Sequence, residues 1–452
     1  MSRNSSDSFD ITRINGSPVV GLGRVADVNF APDLPDWRAD QLLAQAAPPV
    51  REQPAAPGTV TDQTQSGAQA PPETAKSHLE AVAQQKITSS KELDQFNKNM
   101  TALESRGLSQ KELDGTYTNI ARILEATGPT AARAKDMVHI GEQTMRNAAH
   151  PTDIDQGFHD TCNVTTVEVR TYSRTPSAAA KLVADVATTG SYVTADGTTI
   201  KIDSDSLKPD DESNSSGSVD RNRNLASQVF QVTAANIHWQ RADTDPFGNY
   251  QTKGTLKFEQ HNNKRSLMSQ SPDTGERLIN YGVHPAKELA RGPALSCSEL
   301  PDIENQITAL NESGFVVENQ IHGGANTVHV SSEQDLANVL KNIKHDAKGN
   351  KMPVVIRVHT GNEPFLSDQG GGFSRSRGVW HVVNVVDYDE TTGKVTVDNQ
   401  WGKSCDHVMK IKDLYTATLE PPNSYWQLLH EGMIDILLHH KNPWKEDPMW
   451  IH

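Results

Sequence analysis

Between about residues 75 and 149, apolar positions recur at the three- and four-residue spacing of a helix face. Leu93, Phe96, Met100 and Leu103 share one face after a cap at Ser89 or Ser90, and Gly107 ends that run. Ser109 opens a second run, with Leu113, Tyr117, Ile120, Ile123 and Leu124 in register. Gly128-Pro129 interrupts the pattern, and residues 131–147 predict a third helix. Ala178 to Ala187 after Pro176, and Leu225 to Trp239, read as further helices. Val193 to Ile200 reads as a hairpin around Asp196-Gly197.

Past Ser298 the pattern changes. Residues 298–310 predict a helix, Phe315 to Val317 and Val328 to Val330 short strands, and Ser332 to Ile343 a helix with Asp335 in a capping-box position. Three strong strand signals follow: Val354 to His359, Trp380 to Tyr388 and Lys394 to Asn399. A β-rich half after a helical half makes the expected fold class α+β. Residues 1–74, rich in Ser, Ala, Pro and Gln, lack periodicity and are expected to be disordered. Two polar stretches, about 203–224 and 241–275, read as insertions, the first as a surface insertion or linker.

Composition narrows the function. A formal charge of −14 argues against nucleic acid and against an anionic membrane surface as partners. No apolar run approaches the ~18–20 residues of a membrane span. Met1 to Ser17 is polar, so the expected location is the cytoplasm, or outside the cell by a route that needs no classical signal peptide. Three cysteines in 452 residues exclude a disulfide scaffold. Cys297 and Cys405 lack supporting neighbours and read as structural. The scattered histidines show no metal-ligand spacing, so neither metal nor cofactor is expected. The oligomeric state is left open.

Three segments carry chemistry: Asp155-Gln-Gly-Phe-His-Asp-Thr-Cys162-Asn, Val379-Trp-His-Val-Val-Asn-Val-Val-Asp-Tyr388, and Val395-Thr-Val-Asp-Asn-Gln-Trp-Gly402. Cys162 follows a polar loop at a potential helix start, where dipole and free amides favour a thiolate. His381 offers an imidazole on a rigid strand. A third group must orient that imidazole and fix its tautomer. Along the last strand Asn399 shares a side with Val395 and Val397, whereas Asp398 shares a side with Lys394 and is expected to face solvent. Asn399 is therefore the expected orienter.

These segments resemble the papain-like cysteine peptidases. The order Cys, His, Asn is theirs; Gln156-Gly157 precedes Cys162 as their oxyanion-hole Gln-Gly pair does; and Asn399-Gln-Trp401-Gly402 is similar to their Asn-Ser-Trp-Gly motif. The resemblance implies a two-lobed fold and hydrolysis of peptide bonds in protein or peptide substrates. Cys162 would be the nucleophile, His381 the general base and acid, and Asn399 its orienter. Gln156 would donate to the oxyanion, and Trp401 would shield the His–Asn bond. Residues 151–452 would form the catalytic domain and 75–150 a helical accessory or pro-like region. Asn163 stands where papains carry Trp, and the long Cys162–His381 interval requires insertions. Two other readings share these residues. One is acyl transfer of a transglutaminase, deamidase or bacteriocin-peptidase-like type, the last with Asp398 as third member. The other is a non-catalytic binding protein on a decayed peptidase fold.

Overall fold

The computed structural model describes residues 74–421 apart from 128–129, 214–219, 249–252, 262–274, 323, 348 and 369–377. The expected disordered segment therefore lies outside the described residues, save for Thr74. Four helices open the described chain: α1 (Ala75–Lys86), α2 (Ser90–Glu104), α3 (Gln110–Glu125) and α4 (Met137–Ala149). Thr74, Ser89 and Ser109 precede the first three in extended backbone, and their hydroxyls accept from the amides of Ser77, Glu92 and Glu112. Each bond satisfies a donor that the helix itself leaves open. Phe96, Met100 and Leu103 of α2 and Tyr117, Ile120, Ile123 and Leu124 of α3 turn into the core. The third helix starts later than its pattern predicts. The Ala131 and Ala132 amides bond instead to the Thr188 and Ala187 carbonyls, at 3.3 and 2.9 Å.

Next come α5 (Cys162–Arg174), α6 (Pro176–Thr189), the hairpin β1 (Ser191–Val193) and β2 (Thr199–Lys201), and α7 (Leu225–Trp239). The start of α5 is rich in β-branched residues, which are poor helix formers. It is helical because burial overrides propensity: Val164, Thr165, Thr166 and Val167 are fully buried. The hydroxyls of Thr165 and Thr166 are absorbed by the Thr161 and Asn163 carbonyls at 2.8 and 2.6 Å. Leu79, Leu103 and Ile120 belong to one apolar cluster with Val164, Leu182 and Phe230. Residues 75–150, read from the sequence as an accessory or pro-like region, thus share their core with α5–α7.

The stretch 241–275 is less irregular than its polarity suggests. Part of it forms β3 (Leu256–His261), which pairs with β4 (Gly275–Asn280) and through it with β5 (Lys287–Arg291) in an antiparallel sheet. The expectation of a surface insertion at about 203–224 is corrected in part: Asp203, Asp205 and Asp220 are exposed, but Asp210, Glu212, Ser213 and Arg223 are buried. The buried residues are polar because they pair with one another and with β4, not because they meet water.

After α8 (Leu300–Thr308) the second sheet is built from β6 (Val316–Asn319), β7 (Val328–Val330), β8 (Val354–His359), β9 (Trp380–Asp389), β10 (Lys394–Asp398) and β11 (His407–Lys410). Its order is β11-β10-β9-β8-β6-β7, with β6 parallel to β7 and β8 and the other pairs antiparallel. The remaining helices are α9 (Glu333–Lys344), α10 (Phe365–Asp368) and α11 (Ile411–Ala417). Val382 of β9 joins the cluster that contains α5, whereas Val383 and Val385 join a second cluster with Leu336, Leu340 and Leu414. Both faces of β9 are covered, which is why it reads as a nearly unbroken apolar run. The architecture is mixed α+β. Among the described residues no helix is long and apolar enough to cross a membrane.

One buried side chain fixes α5 against the β-rich half. Arg170 Nε donates to Glu304 at 2.7 Å, Nη2 to Glu312 at 2.8 Å, and Nη1 to the Lys351 and Pro353 carbonyls. The guanidinium also lies 3.8 Å over the Phe315 ring. Arg170→Met should lower stability by about 3–5 kcal/mol, because it leaves buried Glu304 without its cation. Adding Glu304→Leu should recover part of the loss. Urea melts of both variants test this, and a loss under about 1 kcal/mol in the single variant would show that the pair contributes little.

Candidate active site

The loop that delivers Cys162 is pinned by buried charge. His159 Nε2 lies 2.8 Å from Asp210 Oδ2, and Nδ1 lies 3.5 Å from Glu276 Oε1. Arg223 pairs with Asp210 at 3.1 Å and with Glu276. Glu212 accepts from the Phe158 and Arg223 amides at 2.9 and 3.0 Å. Burial alone would raise the carboxyl of Glu276, but Arg223 and His159 outweigh it and hold that group at about 2. Burial and Arg223 work against the His159 imidazolium, yet Glu276 and Asp210 outweigh them and raise it above its ordinary value. Gly157 has φ +64°, and a Cβ there would fall 1.9 Å from Glu212 Oε2. The Gly of the Gln-Gly pair is thus dictated by close approach as well as backbone conformation.

Gln156 is buried beside this knot. Its backbone amide donates to the Gln400 carbonyl at 2.8 Å, which ties the Cys162 loop to the Asn399–Trp401 segment. Its Nε2 donates to the His159 carbonyl, and the primary amide keeps a second hydrogen on the same nitrogen. Asn163 bonds through Nδ2 to the Leu295 carbonyl at 3.0 Å and accepts the Val164 amide at 2.8 Å. It anchors the start of α5 to the loop after β5.

His381, Asn399 and Trp401 lie together. His381 Nε2 and Asn399 Oδ1 are 3.0 Å apart and buried. The Trp401 indole stacks on the imidazole with centroids 4.3 Å apart and planes 19° apart. Cys162 reaches the strand of His381 but not the imidazole: its sulfur meets the backbone N–H of Val382, the residue after His381, whereas the His381 side chain is hydrogen-bonded to Asn399 and not to the sulfur. A cavity of about 320 Å³ opens on Cys162, walled by Asp160, Asn163, Cys297, Arg357, Trp380 and Val382 among others. Arg357 is held by Glu318 at 3.1 Å and lies 4.5 Å over the Trp380 ring. All three cysteines are free thiols. Cys297, read as structural, is buried but walls the same cavity.

Two expectations are corrected. Asp398 does not face solvent. It is 2% exposed, and its carboxyl accepts from Gln400 Nε2 at 3.1 Å and interacts with Asn384, not His381. Burial drives this carboxyl well above its usual range. The parity assignment separates the two sides of β10 correctly. It fails on burial because Asn384 of β9 and Gln400 lie against Asp398 on that side. The second correction concerns the thiol. The amides of Val382, Asn163 and Cys162 favour a thiolate, but burial and the Asp160 carboxylate outweigh them and push Cys162 up to about 12. Burial pulls His381 down to about 4 against its hydrogen bond with Asn399. Both groups are thus driven toward their neutral forms.

Sequence reasoning missed Asp160 as a modulator of the thiol, and the knot of His159, Asp210, Glu212, Arg223 and Glu276. Apart from His159 and Asp160, which lie within the Cys162 segment, no local spacing marks these residues. Their partners are brought in from β4 and from a stretch that reads as solvent-facing. Comparison with protein-family models, curated proteins and solved structures finds no match for this chain.

The electrostatics have a direct readout. Alkylation of Cys162 by iodoacetamide, followed by peptide mapping, should speed up about tenfold for each rise of one pH unit from pH 7 to beyond pH 9. A rate already level below pH 7 would mean a preformed thiolate–imidazolium pair and would overturn this assignment.

Proposed function

We propose that this chain is a thiol-dependent hydrolase of peptide bonds, with a papain-like two-lobed arrangement and a Cys162–His381–Asn399 triad. The observation that carries the reading is the 3.0 Å contact between His381 Nε2 and Asn399 Oδ1 under the Trp401 ring, one residue along β9 from the amide that meets the Cys162 sulfur. An imidazole held through Nε2 to an amide oxygen presents Nδ1 for proton transfer.

The chemistry follows from these positions. A peptide enters the cavity beside Cys162. His381 Nδ1 removes the thiol proton as the sulfur attacks the carbonyl carbon, so that proton transfer and attack are coupled. Negative charge builds on the carbonyl oxygen, where the Cys162 amide at the start of α5 and the second hydrogen of Gln156 Nε2 can meet it. The imidazolium returns its proton to the leaving amine. Water, deprotonated by His381, then releases the acyl group and restores the thiol.

Cys162→Ala should abolish cleavage of a generic peptide mixture while leaving the melting temperature nearly unchanged. Retained cleavage removes Cys162 from the mechanism. The same incubation with an added primary amine separates hydrolysis from acyl transfer, since an amine-capped product without a free carboxylate would favour transfer. Gln156→Ala should lower kcat by about 10- to 1000-fold with little change in KM. Its Cys162 should still be alkylated by iodoacetamide at the wild-type rate, because that displacement creates no oxyanion.

A further inference from the structure

The Asn399 amide is held at both ends. Its Oδ1 receives His381 Nε2 at 3.0 Å and the Trp401 backbone N–H at 3.3 Å. Its Nδ2 donates to Asp368 Oδ2 at 3.2 Å. The same carboxylate oxygen receives His407 Nε2 at 2.7 Å, and the His407 ring packs edge-on against Phe365. Asp368 ends α10, and its side chain is 10% exposed. The Asn399 backbone is fixed separately, since its N–H donates to Asp406 Oδ1 at 3.0 Å.

An amide side chain can be rotated by half a turn with almost no change in shape, so its orientation is set by its partners. Here the partners are unambiguous. A backbone N–H only donates, and an ionised carboxylate only accepts. Turning the Asn399 amide over would face its NH2 to the Trp401 N–H and its oxygen to Asp368. Both contacts would be repulsive. The carbonyl oxygen therefore faces His381, which requires the imidazole hydrogen to sit on Nε2 and leaves Nδ1 without one. Nδ1 is the nitrogen the thiol proton must reach.

We propose that Asp368 is a positioning residue of this site. Through Asn399 it sets the tautomer of His381, and His407 holds the Asp368 carboxylate in place. The role in turnover rests on the hydrolase reading above, but the tautomer assignment does not, because it is a property of the resting protein.

Asp368→Asn removes the acceptor-only group with almost no change in volume, and the new amide can present either end to Asn399. Nitrogen NMR of protein labelled in its histidine rings reads the tautomer directly, with His381 assigned by its loss in His381→Gln. The wild type should show hydrogen on Nε2. Asp368→Asn should shift His381 substantially toward hydrogen on Nδ1, and should lower kcat by about 10- to 100-fold with KM nearly unchanged. Asp368→Glu should recover part of both effects. An unchanged His381 tautomer in Asp368→Asn overturns the proposal, whatever happens to kcat. If the wild type cleaves no peptide, the hydrolase reading fails, and the tautomer shift alone decides the role of Asp368.

Discussion

Three carboxylates and two cations lie out of water directly ahead of Cys162, and the position of the sulfur depends on them. Asp210, Glu212 and Glu276 face His159 and Arg223, each at most 2% exposed. Taking such ions out of water costs several kcal/mol apiece, so the arrangement survives only where every charge has partners. Asp210 and Glu276 each meet both cations, and Glu212 receives two backbone amides. The result ties the Cys162 loop, Asp210, Glu212, Arg223 and β4 into one unit. Because the His159 carbonyl is fixed, the Gln156 amide that bonds to it is fixed as well. A knot of this kind specifies one loop conformation more sharply than apolar packing does, since any slip strands a buried charge.

On the other side of the sulfur the constraint is desolvation. His381 and Cys162 are both driven toward their neutral forms, by burial above all. Helix position alone would favour a thiolate, but Asp160 sits at the cavity wall and adds negative charge beside the sulfur. The outcome is a thiol held in its protonated form at rest, which under the proposed hydrolase reading would be deprotonated only as it attacks.

Local signals carried much of this architecture. Ser89 and Ser109 announce their helices because a capping hydroxyl acts on the next three residues and needs nothing distant. The strands around His381 and Asn399 were legible for the same reason: a strand covered on both faces is apolar almost throughout. Asn399, Trp401 and His381 could be grouped because two short segments hold all three. What failed was any inference that polarity means solvent. Asp210, Glu212 and Arg223 are polar and buried, and so is Asp398, because each is matched by a partner far away in sequence. The β-branched start of α5 misleads in the opposite sense. Its residues are poor helix formers alone, and only the surrounding core makes them helical. Asp368 gave no signal at all, since its partner Asn399 lies on another element.

The choice of an amide at position 399 follows from its neighbours. The backbone N–H of Asn399 donates to Asp406 and its Nδ2 donates to Asp368, so two carboxylates converge there. Burial already raises Asp406 to about 6. A third carboxylate in place of Asn399 would lose the donor to Asp368 and face two like charges in a poorly solvated space, and it would take up a proton. A protonated acid offers His381 no anion, and its hydroxyl would compete as a donor. The amide meets both demands: it accepts from the imidazole through oxygen and gives to the carboxylate through nitrogen. In this setting Asn399 orients the imidazole while adding no charge that would favour the imidazolium, in keeping with the burial that pulls His381 down to about 4.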